Sequence, residues 1–163
     1  RALHPSPRTI PQSAHHNMRF TRKGQTRYDL GQEESAMAIE LEYKLPHAVT
    51  DVWQIISDPG RIDWVAGVAS CEFDGQVRRF KMDGAGDLAE QIFSVDHDTH
   101  TISYGVIEST PPLASHRASM ELSAAPEGTL LTGRTAVEPA AVEPFIKQGM
   151  DASAAKLLEV LAK

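Results

Sequence analysis

Apolar and charged residues alternate with period two in residues 38–45 (AIELEYKL). Ile39, Leu41, Tyr43 and Leu45 fall on one side, and Glu40, Glu42 and Lys44 on the other. That is the pattern of a strand buried on one face, and Pro46 ends it. The period then changes. In residues 48–57 the apolar positions Val49, Val52, Trp53 and Ile56 follow helical spacing, and Asp58-Pro59 stops the helix because a residue before proline avoids the α region. Residues 61–65 predict a second short helical turn that carries Trp64. From there to residue 138 the pattern is a succession of short strands separated by turn residues: 68–73, 77–82, 88–95, 101–107, 114–124 and 129–137. Asp74-Gly75, Asp83-Gly84-Ala85-Gly86, Asp96–Thr99, Ser109-Thr110-Pro111-Pro112 and Pro126-Glu127-Gly128 close them, and Asp-Gly and glycine-rich closures of this kind mark hairpins.

The chain closes on one long amphipathic helix over residues 142–162. Val142, Phe145, Ile146, Gly149, Met150, Ser153, Leu157, Val160 and Leu161 share a side, with Glu143, Lys147, Asp151 and Lys156 elsewhere. The order predicts an α+β fold: a curved, seven-stranded antiparallel sheet wrapped around the C-terminal helix, with two short helices after the first strand. Gly149 and Ser153 are small where the helix faces the sheet, which leaves room for a cavity between them.

Charge changes where the chain is expected to fold. Residues 1–36 carry six Lys/Arg against three Asp/Glu, a balance of +3, whereas residues 37–163 carry ten against nineteen, a balance of −9. The first segment, with Pro5, Pro7 and Pro11 and no apolar periodicity, is expected to be a disordered extension. Residues 37–163 are expected to be one domain, long enough for a single substantial core. The acidic balance of that domain repels phosphate backbones, so nucleic acid is not an expected partner. No stretch approaches the roughly 18 apolar residues of a membrane span. The single cysteine, Cys71, allows no intramolecular disulfide and fits a cytoplasmic setting. It falls within a strand and is expected to be a buried structural thiol.

Alternation also assigns the polar residues. Arg78 shares a face with Phe80 and Met82; Glu90 with Leu88 and Ile92; Tyr104 with Ile102 and Val106; His116 with Ala118, Met120 and Leu122. Four inward polar side chains are costly unless partnered. One reading is an Arg78–Glu90 ion pair across neighbouring strands, with Tyr104 and His116 as hydrogen-bonded core residues. The other makes the four the polar points of an apolar ligand pocket.

The run from Ala48 to Trp64, with Val52-Trp53, Ser57-Asp58-Pro59-Gly60 and then Trp64, followed by residues 68–73, resembles the polyketide cyclase/dehydrase and lipid-transport family. That family belongs to the START-like, helix-grip (SRPBCC) superfamily. Val77-Arg78-Arg79-Phe80, Glu90, Ser103-Tyr104 and the Pro111-Pro112-Leu113 turn before His116 extend the resemblance, which covers about residues 39–163. It implies an apolar cavity for a lipid-, polyketide- or aromatic-like molecule, with loops 82–87 and 109–115 at its mouth and no cofactor. Ligand-binding positions implied are Arg78, Met82, Glu90, Tyr104, Val106, Leu113, His116, Phe145, Gly149 and Ser153; Trp64, near the open end of the sheet, and Met120, on the His116 face, complete the expected set. Two positions depart from the family: His116 stands where relatives often carry an aromatic hydroxyl residue, and Gly133 where they often carry tryptophan.

Two functions stay open at this level. A carrier needs only the cavity and a few polar anchors. A cyclase- or dehydratase-type enzyme would use Glu90 or His116 as general acid–base, with Arg78 or Tyr104 holding an oxygen. An arginine beside a carboxylate works against the raised pKa that acid catalysis needs, which favours binding. A homodimer is compatible with either. Asp96-His97-Asp98-Thr99-His100 has the residue types of a metal site but sits in a hairpin turn, where Asp and Thr are good turn formers, so no metal is expected. Gly84-Ala85-Gly86 opens no helix and is not a phosphate loop, and Trp53 is assigned to the core.

Overall fold

The structure, a computed structural model, describes residues 39–163. The expected extension over residues 1–36 and its boundary lie outside them. Strand β1 (Ile39–Leu45) leads into helix α1 (Val49–Ile56). There follow β2 (Val68–Phe73), β3 (Val77–Met82), β4 (Gly86–Asp96), β5 (Thr101–Ser109), β6 (Ser115–Ala125) and β7 (Gly128–Glu138). A single 3-10 turn, Ala140–Val142, then leads into α2 (Glu143–Leu161). The seven strands form one antiparallel sheet in the order β1-β7-β6-β5-β4-β3-β2. Strands β2 to β7 are therefore a continuous meander, and β1 joins its far end beside β7.

The second short helix expected after β1 is instead a pair of turns. Arg61 N–H donates to Asp58 O at 3.1 Å and Val65 N–H to Ile62 O at 3.0 Å. Pro59-Gly60 before the segment and Gly67, at φ +75°, after it leave too few residues for a helix to propagate. In α1 the spacing holds, with Val52, Trp53, Ile55 and Ile56 all buried.

Two irregularities between β4 and β5 decide which of their residues face inward. Ala89 pairs with Glu108 but Glu90 pairs with Val106, so Ile107 is an extra residue on β5; Ile92 pairs with Tyr104 and Ser94 with Ser103, so Phe93 is extra on β4. Each bulge reverses the alternation beyond it. As a result Val106 and Ser109, three apart, both face the inside, while Glu108 turns outward to pair with Arg79 at 2.9 Å. Ile107 and Phe93 are left exposed.

The packed core occupies one end of the groove between sheet and helices. Leu45, Val52, Trp53, Ile56, Ile102 and Leu122 meet Leu157 from the C-terminal half of α2, which is fully buried. From its middle onward the helix is fastened by polar ties: Tyr43 donates to Asp151 at 2.8 Å, Ala66 N–H donates to Ser153 Oγ at 3.1 Å, and Lys156 donates to Val65 O at 3.1 Å. Before residue 154 no α2 side chain is buried. No helix among the described residues is long and apolar enough to cross a membrane.

Candidate functional site

The unfilled end of the groove is a cavity of about 430 Å³. Its floor is the inner face of β3 to β7, and its roof is the N-terminal half of α2. Strand alternation delivers Arg78, Phe80 and Met82 from β3, Leu88 and Glu90 from β4, Tyr104 and Val106 from β5, and His116 and Met120 from β6. Trp64 and Leu113 enter from loops, and Phe145, Gly149 and Ser153 from the helix. All twelve residues singled out from the sequence as ligand-binding positions therefore lie on the wall of one cavity.

On its floor Arg78 and Glu90 are directly paired across β3 and β4. Arg78 Nε donates to Glu90 Oε2 at 2.6 Å and Nη1 to Pro59 O at 3.3 Å. The guanidinium also stands over the rings of Tyr104 at 4.9 Å and Phe80 at 5.8 Å. Both charged residues are buried, at 6% and 7% exposure, so the pair is desolvated and not a surface contact. Burial opposes the charge on Arg78, but the surrounding groups, Glu90 first and then Tyr104, together outweigh it and hold the arginine pKa above its ordinary value.

His116 lies beside this pair. Its Nδ1 accepts a hydrogen bond from Val106 N–H at 3.2 Å, and burial pushes the imidazole pKa below its ordinary 6.5. A neutral ring with Nδ1 accepting carries its proton on Nε2. Tyr104, with its ring centroid 6.4 Å from that of His116, has its pKa pushed up to about 12, by burial first and by Glu90 second. It therefore keeps its proton. Tyr104 is surrounded by protein yet retains accessible surface, and that surface belongs to the cavity. The indole N–H of Trp64 is buried with no partner among the described residues.

The two loops expected to flank the cavity both contribute to its wall, through Gly84 and Ala85 and through Pro111 and Leu113. Thr110 Oγ1 accepts from Asp87 N–H at 3.0 Å and donates to Asp87 O at 3.3 Å, which latches the 82–87 and 109–115 loops together. Asp83 N–H donates to Gly67 O at 2.9 Å and ties the first loop to the segment before β2. Gly84 adopts φ +79°, and a Cβ there would stand 3.2 Å from the ring of Phe145. Phe145, 41% exposed, thus packs the first turn of α2 against this loop at the cavity wall.

Several wall residues are not legible in the sequence pattern. Alternation places Tyr43 on the apolar face of β1, yet its hydroxyl reaches Asp151 at the cavity edge. Ser109 reads as a turn residue, and the Ile107 bulge carries it inside. Gly133 and Met150 also line the cavity, and a Cβ at 133 would stand 2.6 Å from Met150 Cε, so the methionine takes the space a larger side chain would need. Ser153 does more than leave room, since it holds the backbone at Ala66. Among the glycines of the wall, Gly149 alone is open, with no neighbouring element within 4 Å of a Cβ placed there.

The other motifs resolve away from chemistry. Asp96 Oδ1 accepts from the N–H groups of Asp98 and Thr99, at 2.9 and 3.0 Å, as a turn former. His97 Nδ1 accepts from Trp53 Nε1–H at 3.0 Å, and His97 and His100 both meet the Trp53 ring edge-on. That turn therefore packs against the core instead of being wholly solvated. No group of metal-binding side chains occurs among the described residues. Cys71 is half-buried rather than buried, because β2 is an edge strand, and burial pushes its thiol pKa up.

A family model described as polyketide cyclase / dehydrase and lipid transport matches residues 38–163. No curated protein matches the chain. Among solved structures, the protein XoxI from Bacillus cereus is similar at 15% identity and a TM-score of 0.69, over 77% of this chain and 95% of that one. Protein MLL2253 from Mesorhizobium loti is similar at 19% identity and a TM-score of 0.63, over 76% and 96%. Ara h 8.0201 is similar at 17% identity and a TM-score of 0.62, over 76% and 96%. At these identities the likeness is one of fold, the helix grip.

Proposed function

Because the chain belongs to the polyketide cyclase/dehydrase and lipid transport family, we propose that it is a binding protein or carrier for a small hydrophobic molecule held between the sheet and α2. The observation that carries this reading is the cavity, about 430 Å³ and walled mainly by apolar side chains. Small-molecule sites span roughly 300–1,000 Å³ and use a few polar groups in an apolar lining. Gly149, with open space where a side chain would stand, leaves this end of the groove unfilled. Native mass spectrometry of the purified protein should reveal a co-purified small molecule, or the emptied protein should take up the neutral dye phenylnaphthylamine. Absence of both a bound mass and dye uptake would end the reading.

The catalytic alternative gives Glu90 or His116 a proton to move. Glu90 is engaged by Arg78 at 2.6 Å and already serves as a counter-ion, and His116 spends Nδ1 on the backbone of β5. Both geometries favour holding over turnover. An aromatic polyketide incubated with the protein should be bound and recovered unchanged. Turnover lost in Glu90→Gln or His116→Ala with binding intact would reverse that preference.

A further inference from the structure

Resting on the reading that the cavity holds a ligand, we propose that this ligand is uncharged and carries a carbonyl oxygen, received by the Tyr104 hydroxyl and the His116 Nε2–H beside the Arg78–Glu90 pair. The polar pole of the cavity is made of neutral donors around a charge pair that already sums to zero. Tyr104 has no hydrogen-bond partner among the described residues, and the only one His116 has is at Nδ1. Both rings line the cavity within 6.4 Å of each other. Two donors side by side, each keeping its proton, ask for an acceptor.

The ion pair excludes charge. Arg78 is committed to Glu90, to Pro59 O and to two aromatic rings. A carboxylate or phosphate on the ligand would add a second negative charge beside Glu90, or take Arg78 and strand the buried Glu90. An ammonium would do the same to Arg78. A carbonyl oxygen asks for neither and satisfies both donors, and an oxygen-free hydrocarbon would bury them unmet.

The test is displacement of phenylnaphthylamine by three naphthalenes of one shape, substituted at the same ring position: acetylnaphthalene, isopropylnaphthalene and naphthoate. At neutral pH acetylnaphthalene should bind about tenfold more tightly than naphthoate. It should also bind more tightly than isopropylnaphthalene, although the hydrocarbon leaves water more readily. Tyr104→Phe, checked for an unchanged circular dichroism spectrum, should weaken acetylnaphthalene about fivefold and leave isopropylnaphthalene unchanged. If that variant does not fold, the wild-type ranking decides alone. A dye that binds while the three compounds displace it equally or not at all, or while naphthoate or isopropylnaphthalene displaces it best, overturns the proposal but spares the carrier reading. A protein that binds neither dye nor any naphthalene overturns the carrier reading itself.

Discussion

Arg78 and Glu90 face each other in register on β3 and β4 because hairpin pairing through Asp83–Gly86 brings residues 78 and 90 opposite one another. Desolvating both charges is expensive, and a pair of this kind contributes less to stability than its short distance implies; breaking it by removing one partner costs about 3–5 kcal/mol. Its effect on the cavity is to place a dipole, not a net charge, in the wall. His116 beside it gives a pH signature. Burial sets its folded pKa below the ordinary 6.5, so under acid conditions the unfolded chain takes up a proton that the folded one resists. The stability this group contributes is full above about pH 6.5 and is lost as pH falls through the folded pKa. The gap in unfolding free energy between the wild type and the non-titrating His116→Gln variant should narrow from about pH 7.5 to about pH 5 in urea titrations. A gap that stays constant across that window would remove His116 from the account.

At the scale of elements, the helix α2 trades its own stability for space. Gly149 sits in the middle of a nineteen-residue helix, where glycine costs roughly 0.5–1 kcal/mol relative to alanine, and no neighbouring element lies within 4 Å of a Cβ built there. Gly149→Ala should therefore raise the melting temperature, and Gly149→Leu should fill the cavity and suppress dye uptake while the protein stays folded. If Gly149→Leu binds dye as the wild type does, α2 does not roof the site. The strands are the legible part of this element pattern. Regular alternation in 77–82 and in 101–106 puts Arg78, Tyr104 and Val106 on the inner face from sequence alone, since each side chain is set by the pleat. Alternation loses Ser109, because a one-residue bulge at Ile107 carries no compositional mark and reverses the facing of the residues beyond it. It also makes Tyr43 merely apolar, because a hydroxyl's partner 108 positions away is a tertiary fact.

For the whole molecule, the decisive property is an imbalance between two ends. The order of elements specifies which face of the sheet looks at the helix, but not how far the helix stands away from it. That distance is set by where α2 is tied. Its bonds to Tyr43, Ala66 and Val65 start at residues 151, 153 and 156, and its buried residues are Ala154 and Leu157. Among the described residues, 143–150 have no comparable anchor and rest over the cavity, with Phe145 partly exposed against Gly84. Local opening tracks the number of buried contacts holding a segment. In hydrogen exchange the amides of 147–150 should therefore exchange faster than those of 154–158, although both stretches lie inside one continuous helix. A ligand that fills the cavity supplies the missing contacts, so saturating phenylnaphthylamine should slow exchange in 147–150 and in the 82–87 and 109–115 loops, with little change in 154–158. Equal protection along the helix before ligand is added would mean that its two halves are held alike, and entry to the cavity would then have to occur through the loops alone.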